Sequence, residues 1–97
     1  MPSKKSPVDL LEQERLERLT ELVGEEGQDW PDRFKPGSFG CHELLDRVSL
    51  LTADIESHLL EHPSCAMNSE WYAQASQAMA LLNDLYEKIG EVHGVDE

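Results

Sequence analysis

Residues 41–62 have the sequence CHELLDRVSLLTADIESHLLEH, and the fold follows mainly from these residues. Apolar residues recur in them at spacings of three and four, which is typical of one face of an α-helix. Pro63 comes next and disfavours helical backbone at the residue before it. We therefore predict a second helix over residues 41–62, with an apolar face formed by Cys41, Leu44, Leu45, Val48, Leu51, Ile55 and Leu59.

The sequence after Pro63 predicts a third helix over residues 68–90. Asn68 or Ser69 can cap its beginning, and Gly90 is expected to end it. Its apolar face is formed by Trp71, Ala75, Ala78, Leu82, Leu85 and Ile89. The short connection between the two helices predicts an antiparallel two-helix hairpin. No segment alternates with a period of two, so we expect an all-α fold without strands.

An N-terminal amphipathic helix is predicted over residues 8–23, ahead of the hairpin. Ser6 suits the N-cap and Pro7 suits the first helical position, while Gly24 is expected to end the helix. The small, polar residues 1–7 have the composition of a flexible tail.

Residues 24–40 form a predicted loop that contains half of the aromatic residues. Four glycines and two prolines exclude a long helix or strand from it. Because exposed aromatic side chains are costly, we expect Trp30, Phe34 and Phe39 to fold back over the open end of the helical core. The alternative is an aromatic motif that binds a partner, with Trp30 as its candidate residue.

The apolar arcs of the second and third helices are wider than one hairpin requires. Two antiparallel helices cover only part of each other, and the excess consists of Leu60 on the second helix and of Tyr72, Met79, Leu81 and Tyr86 on the third. We therefore expect the helices to assemble as a homodimeric bundle, with Leu50 on the opposite, polar side of the second helix.

Length and charge limit the classes of partner. The 97 residues suit one small domain, and a formal net charge of −12 opposes direct binding to nucleic acid or to an anionic membrane surface. We expect no membrane span and no signal peptide, since no apolar run is long enough and the N-terminus lacks an apolar centre. Two cysteines in such a chain are typical of reduced thiols in a cytoplasmic protein.

Acidic residues concentrate in the predicted hairpin. Residues 41–97 carry eleven Asp and Glu but only Arg47 and Lys88 as bases. Regularly spaced carboxylates on rigid helices can attract a basic protein surface, including one that binds nucleic acid, although they also serve simple solubility. The candidate partner-binding residues are Glu43, Asp46, Leu50, Asp54, Glu61 and Asp84, together with Trp30.

A metal site is the alternative function. His58 and His62 are four residues apart, and Cys65 follows three residues later, which would supply three ligands of a zinc ion. The fourth ligand is missing nearby. The opposing interpretation is that both histidines are solvated near a helix C-terminus, where the helix dipole favours the protonated ring.

Catalysis is less well supported by the sequence. Cys41 at a helix N-terminus could be a reactive thiol, but adjacent helical residues point about 100° apart, so His42 would not face it. The glycines between residues 37 and 40 lack the lysine of a phosphate-binding loop. We therefore expect no catalytic residue and no cofactor.

Three short motifs resemble a pattern found in small, uncharacterised, all-helical bacterial and phage proteins. They are Phe39-Gly-Cys-His-Glu-Leu-Leu-Asp-Arg, Glu61-His-Pro and Leu85-Tyr-Glu-Lys-Ile-Gly, and the resemblance covers residues 39–90. It implies a short helical protein that acts by binding and implies no activity. His42 lies in the first motif, where we predict a hydrogen bond from its ring to the aromatic loop. Together these features predict a non-catalytic, acidic interaction protein that serves as an inhibitor or regulator.

Overall fold

The computed structural model describes residues 6–94, and every regular element in that range is a helix. Five α-helices and one π-helical segment follow one another as α1 (Pro7–Glu26), α2 (Pro31–Phe34), α3 (Phe39–Asp54), the π segment (Ile55–Leu60), α4 (Pro63–Ala66) and α5 (Ser69–His93). The described part of the chain contains no strand, which confirms the all-α prediction. It divides into two compact units between Arg33 and Phe34. Residues 1–5 of the predicted flexible tail lie outside the described range.

Helix α1 begins where the sequence predicts but ends later. The Ser6 side chain accepts a hydrogen bond from the Asp9 N–H, the Asp9 carboxylate accepts one from the Ser6 N–H, and Pro7 follows at the first helical position. The helix continues through Gly24, the predicted end, to Glu26, because one glycine costs a helix only about 1 kcal/mol. Gly27, with a φ of 92°, makes the turn instead.

Charged side chains on α1 pair along its surface. Arg15 pairs with Glu12, which lowers the pKa of the carboxyl chiefly through the side-chain hydrogen bond. Arg18 bonds both Glu21 and Glu25 and so links the turns on either side of Gly24. The apolar side chains of α1 remain largely uncovered, as shown by Val8, Leu10, Leu11, Leu16 and Val23.

The predicted aromatic loop contains the short helix α2. Arg33 bonds the Glu26 carbonyl oxygen and the Asp29 carboxylate, which fixes the turn that leads into this helix. Trp30 is half-buried, but Phe39 is 85% exposed at the first position of α3. The prediction that all three aromatic residues cover a helical core is therefore wrong for Phe39. Its position on the first turn of α3 directs its side chain away from the packed part of the helix.

The predicted second helix is interrupted. Ser38 caps α3 by accepting from the Cys41 N–H, and regular α-helix ends at Asp54. Beyond it the Glu61 N–H bonds the Glu56 carbonyl five residues earlier, so the π segment holds one more residue per turn. The hydroxyls of Thr52 and Ser57 also bond backbone carbonyls four residues back, which weakens regular helical bonding around the change.

The π segment rotates the residues that follow it. A straight α-helix would direct Leu59 towards α5 with Ile55, but in the structure Leu59 is 47% exposed and Leu60 is half-buried. The extra residue in the turn moves each later side chain back by about one position, or about 100°. Within the predicted apolar face, Val48 is buried and Cys41, Leu45 and Ile55 are half-buried, while Leu44, Leu51 and Leu59 are each about half exposed.

Helices α4 and α5 occupy the rest of the described chain. Pro63 ends the preceding segment as predicted and also opens α4, where the His62 ring accepts from the Ser64 N–H. Asn68 caps α5 by accepting from two backbone N–H groups. Helix α5 continues through Gly90, its predicted end, to His93, whose ring accepts a hydrogen bond from the Gly37 N–H. This tertiary hydrogen bond stabilises the last turn of α5, which the local sequence does not predict.

The core of the second unit lies where α3 and the π segment pack against α5. Helix α4 also contacts α5 and the π segment. Val48 is 3% exposed and is the one apolar side chain fully buried in residues 6–94. Its neighbours in the packed layer are half-buried: Leu45, Ile55, Met79 and Leu82.

Candidate interaction surfaces

The predicted acidic surface lies on the exposed side of α3. Glu43 and Asp46 remain accessible, but each is one turn from a basic side chain. The Arg47 guanidinium lies 3.4 Å from the Glu43 carboxylate, and the His42 Nε2 lies 3.6 Å from the Asp46 carboxylate. Exposed pairs of this kind contribute less than about 1 kcal/mol to stability. The Arg47 guanidinium reduces the local negative potential without covering the Glu43 carboxylate.

Two further candidate carboxylates are also paired. The Asp54 carboxylate lies 3.8 Å from His58 Nε2, and Asp84 lies 2.9 Å from Lys88 Nζ. The hydrogen bond that the Lys88 ammonium donates to the Asp84 carboxylate, followed by the charge of that carboxylate, raises the pKa of Lys88. The i,i+4 spacing of these pairs was present in the sequence and could have predicted them.

The structure brings only part of the predicted partner-binding set together. Leu50 is 65% exposed and lies on the same side of α3 as Glu43, Asp46 and Asp54. Glu61 follows the π segment, whose extra residue turns it away from the row that a straight helix would form. Trp30 belongs to the first compact unit.

An apolar groove that the sequence reasoning missed lies between the π segment and α5. It has a volume of about 280 Å³ and is lined by Leu51, Asp54, Ile55, His58, Leu59 and Leu82. All of the surface exposed inside it is apolar. The wide apolar arcs indicated uncovered surface, but they did not indicate its place, because that depends on the π segment.

The opposite side of the α3–α5 pair carries a groove of different chemistry. Its volume is about 490 Å³, and its lining is rich in polar side chains: Ser49, Thr52, Ala53, Glu56, Met79, Asn83 and Tyr86. The two sides of the pair thus differ, one being apolar and the other mixed.

The candidate metal ligands are not brought together. His58 is directed to Asp54, whereas the Nδ1 of His62 accepts from Ser64 N–H as the cap of α4. No group of three or more His, Cys, Asp and Glu residues is placed to hold a metal ion between residues 6 and 94. The arrangement of His58, His62 and Cys65 therefore does not favour the zinc hypothesis.

We expect purified protein to contain less than one zinc ion per chain, measured by elemental analysis without chelator. His62→Ala removes one exposed helix cap, which costs about 1 kcal/mol or less and should lower the Tm by only a few degrees. One tightly bound zinc per chain, lost in His62→Ala, would contradict this expectation and favour the metal site.

Cys41 and His42 do not form a nucleophile–base pair in the structure. The Cys41 backbone N–H bonds Ser38, while the His42 ring faces Asp46 and lies 5.5 Å, centroid to centroid, from the His93 ring. The histidine that bonds the aromatic loop is His93, through Gly37, and not His42 as predicted. The difference arises because α5 extends one turn beyond its predicted end.

Two further findings concern the whole described range. No helix within residues 6–94 has the length and apolar character needed to cross a membrane. Comparison with family models, curated proteins and solved structures finds no match. The resemblance of residues 39–90 to small bacterial and phage proteins thus stays an interpretation of the sequence.

Proposed function

We propose that the chain is a non-catalytic helical interaction protein that works as a homodimer of α3–α5 hairpins. The observation that carries the proposal is the burial pattern: Val48 is fully buried, while many other large apolar side chains of α3 and α5 are about half exposed or more. A small domain normally buries about 60% of its unfolded surface, and chains that cannot do so alone commonly oligomerise. A second subunit would cover these side chains.

Contacts at the helix ends support an antiparallel hairpin. In the last turn of α5, the His93 ring accepts a hydrogen bond from the Gly37 N–H and lies against the His42 ring. Gly37 comes just before α3, and His42 lies in its first turn. Helix α4 and the π segment contact α5, which places the other end of the pair near the connection. Each subunit would thus supply two neighbouring helices to a bundle.

The partner of this dimer is proposed to be a basic protein surface, such as one that binds nucleic acid. Residues 41–97 carry eleven acids and two bases, so local ion pairs leave most of the negative charge uncompensated. A rigid surface that carries charge of one sign associates faster with a surface of the opposite charge. By occupying such a surface the protein would act as an inhibitor or regulator.

Affinity capture from the source cell tests this proposal. We expect the immobilised protein to retain a basic protein at low salt and to release it at high salt, because exposed charges are screened over about 8 Å at physiological ionic strength. Mass spectrometry would identify the retained protein, and nuclease treatment would show whether nucleic acid bridges it. Retention that is independent of salt, or that requires nucleic acid, would contradict the proposed charge-driven binding.

A further inference from the structure

Exposed apolar side chains recur along each arm of the α3–α5 pair, and this set is here called the leucine face. It consists of Leu44, Leu51 and Leu59 from the first arm of the hairpin and Trp71, Leu81 and Leu85 from α5. Each is between 42% and 71% exposed. One groove is lined by Leu51 and Leu59 from the first arm and by Leu82 from α5, so apolar side chains of both arms meet on this side of the pair.

Helical spacing accounts for the row. Leu44 and Leu51 are seven residues apart, as are positions 71, 78 and 85, so these side chains recur on one side of each helix. Leu59 would leave the row in a straight α-helix. The π segment turns it outward, beside Leu51, and thereby extends the leucine face along the whole pair.

The basic side chains beside the leucine face are each paired with an acid of their own helix, Arg47 with Glu43 and Lys88 with Asp84. Arg47 lies within about 60° of Leu44 and Leu51 around α3. Lys88 has the same angular relation to Leu81 and Leu85 around α5. These are the two bases of residues 41–97, and both lie next to the apolar row.

Some acidic side chains near the leucine face are paired within their own helix, whereas Glu70 is exposed about 20° from Leu81 around α5. Asp54 lines the groove but pairs with His58, and Asp84 pairs with Lys88. The carboxylates of Asp46 and Glu87 lie more than about 100° away from the leucines of their own helices, at 100° per residue. Ion pairs within each subunit therefore lower the repulsion that a second copy would meet here without removing it.

The area of the leucine face also fits a dimer. The five half-exposed leucines leave on the order of 50 Å² each and the half-exposed tryptophan about 100 Å², which makes about 350 Å² of apolar surface. A standard interface buries about 800 Å² per partner, of which about 60% is apolar. The leucine face of each copy would supply about three quarters of that apolar area.

We propose that the leucine face binds the same face of a second copy, forming a twofold four-helix bundle. This inference rests on the proposed homodimer and adds the surface that forms it. In a twofold pairing the same patch serves both subunits, which suits a face whose centre is uniformly apolar. The outer side with Glu43, Asp46 and Leu50 would then remain free for the basic partner.

Adjacent leucines on α3 provide a matched test. Leu51 is 52% exposed in the leucine face, and Leu50 is 65% exposed on the outer side. We expect light scattering at micromolar concentration to give the mass of two chains for wild type and Leu50→Asp. Leu51→Asp should give the mass of one chain, since a charge at the centre of an apolar interface raises the Kd by about 100-fold or more.

The possible outcomes distinguish the proposal that the leucine face forms the interface from the proposal that the protein is a homodimer. A wild-type monomer would overturn both proposals. A dimer that survives Leu51→Asp but not Leu50→Asp, or survives both, would overturn the leucine face and leave the homodimer standing. Dissociation by both substitutions alike would also overturn it, because the two leucines point to different sides.

Trp71 fluorescence gives a second measurement that needs no disruptive charge. In a Trp30→Phe chain, Trp71 is the one tryptophan and is 56% exposed within a single subunit. We expect its emission to shift to longer wavelength on dilution, in step with the fall in mass, because dissociation exposes the leucine face. An emission that stays constant through dissociation would overturn the proposal, even if Leu51→Asp failed to fold.

Discussion

Val48→Asp is expected to abolish the cooperative thermal unfolding of the protein and most of its helical circular dichroism at 25 °C. Val48 is 3% exposed between α3 and α5, and the packing around it is thin because its neighbours are only half-buried. A carboxylate placed there without a partner costs several kcal/mol, a large share of the roughly 5–15 kcal/mol that stabilises an ordinary domain.

Leu50→Asp supplies the control for this substitution. It introduces the same charge two residues away, but Leu50 is 65% exposed, so the melting curve should stay close to that of wild type. Val48→Ala should fall between the two, with a loss of about 2 kcal/mol in the free energy of unfolding. A cooperative melting transition retained in Val48→Asp would show that the α3–α5 packing is not the source of stability.

The helices could be predicted because their signals are local. Ser6 before Pro7, Asn68 before an apolar periodic run, and Pro63 between two such runs each act within one or two turns. The structure confirms all three positions. The same locality explains the i,i+4 ion pairs, which sequence spacing alone was sufficient to predict.

Helix ends at glycine were predicted poorly because the choice between glycines depends on other contacts. Glycine commonly ends a helix, but Gly24 and Gly90 both lie inside helices. Ion pairs across the next turn extend α1, and the bond between Gly37 and His93 extends α5. Neither contact is visible in the periodicity of the helix that it prolongs.

The π segment had the largest consequence for the candidate surfaces. Its residues keep apolar spacings of three and four, so periodicity predicts an unbroken α-helix. One extra residue in the turn is enough to exchange the positions of Leu59 and Leu60 and to remove Glu61 from the acidic row. The acidic residues before it, Glu43, Asp46 and Asp54, are exposed in a common region, as a straight helix requires.

Reversing Glu43, Asp46 and Asp54 to Lys should slow association with the captured basic partner by about 10-fold or more, with little change in dissociation. Electrostatic steering acts mainly on the association rate and can change it by roughly 10- to 1,000-fold. The three side chains are 48–67% exposed and take part only in weak surface pairs, so the variant should remain folded. Surface plasmon resonance over a range of salt concentrations measures both rates, and a melting curve confirms the fold.

A second charge reversal separates a recognition surface from net charge. Glu14, Glu17 and Glu21 are exposed on α1, and changing them to Lys alters the total charge by the same amount. If the outer side of α3 is the recognition surface, this variant should bind at nearly the wild-type rate and keep the salt dependence that the α3 variant loses. Equal slowing in both variants would mean that the partner responds only to overall charge. Normal association by a folded α3 variant, with loss of binding in Leu50→Ala, would instead assign recognition to apolar contact, because short-range contacts contribute little to steering.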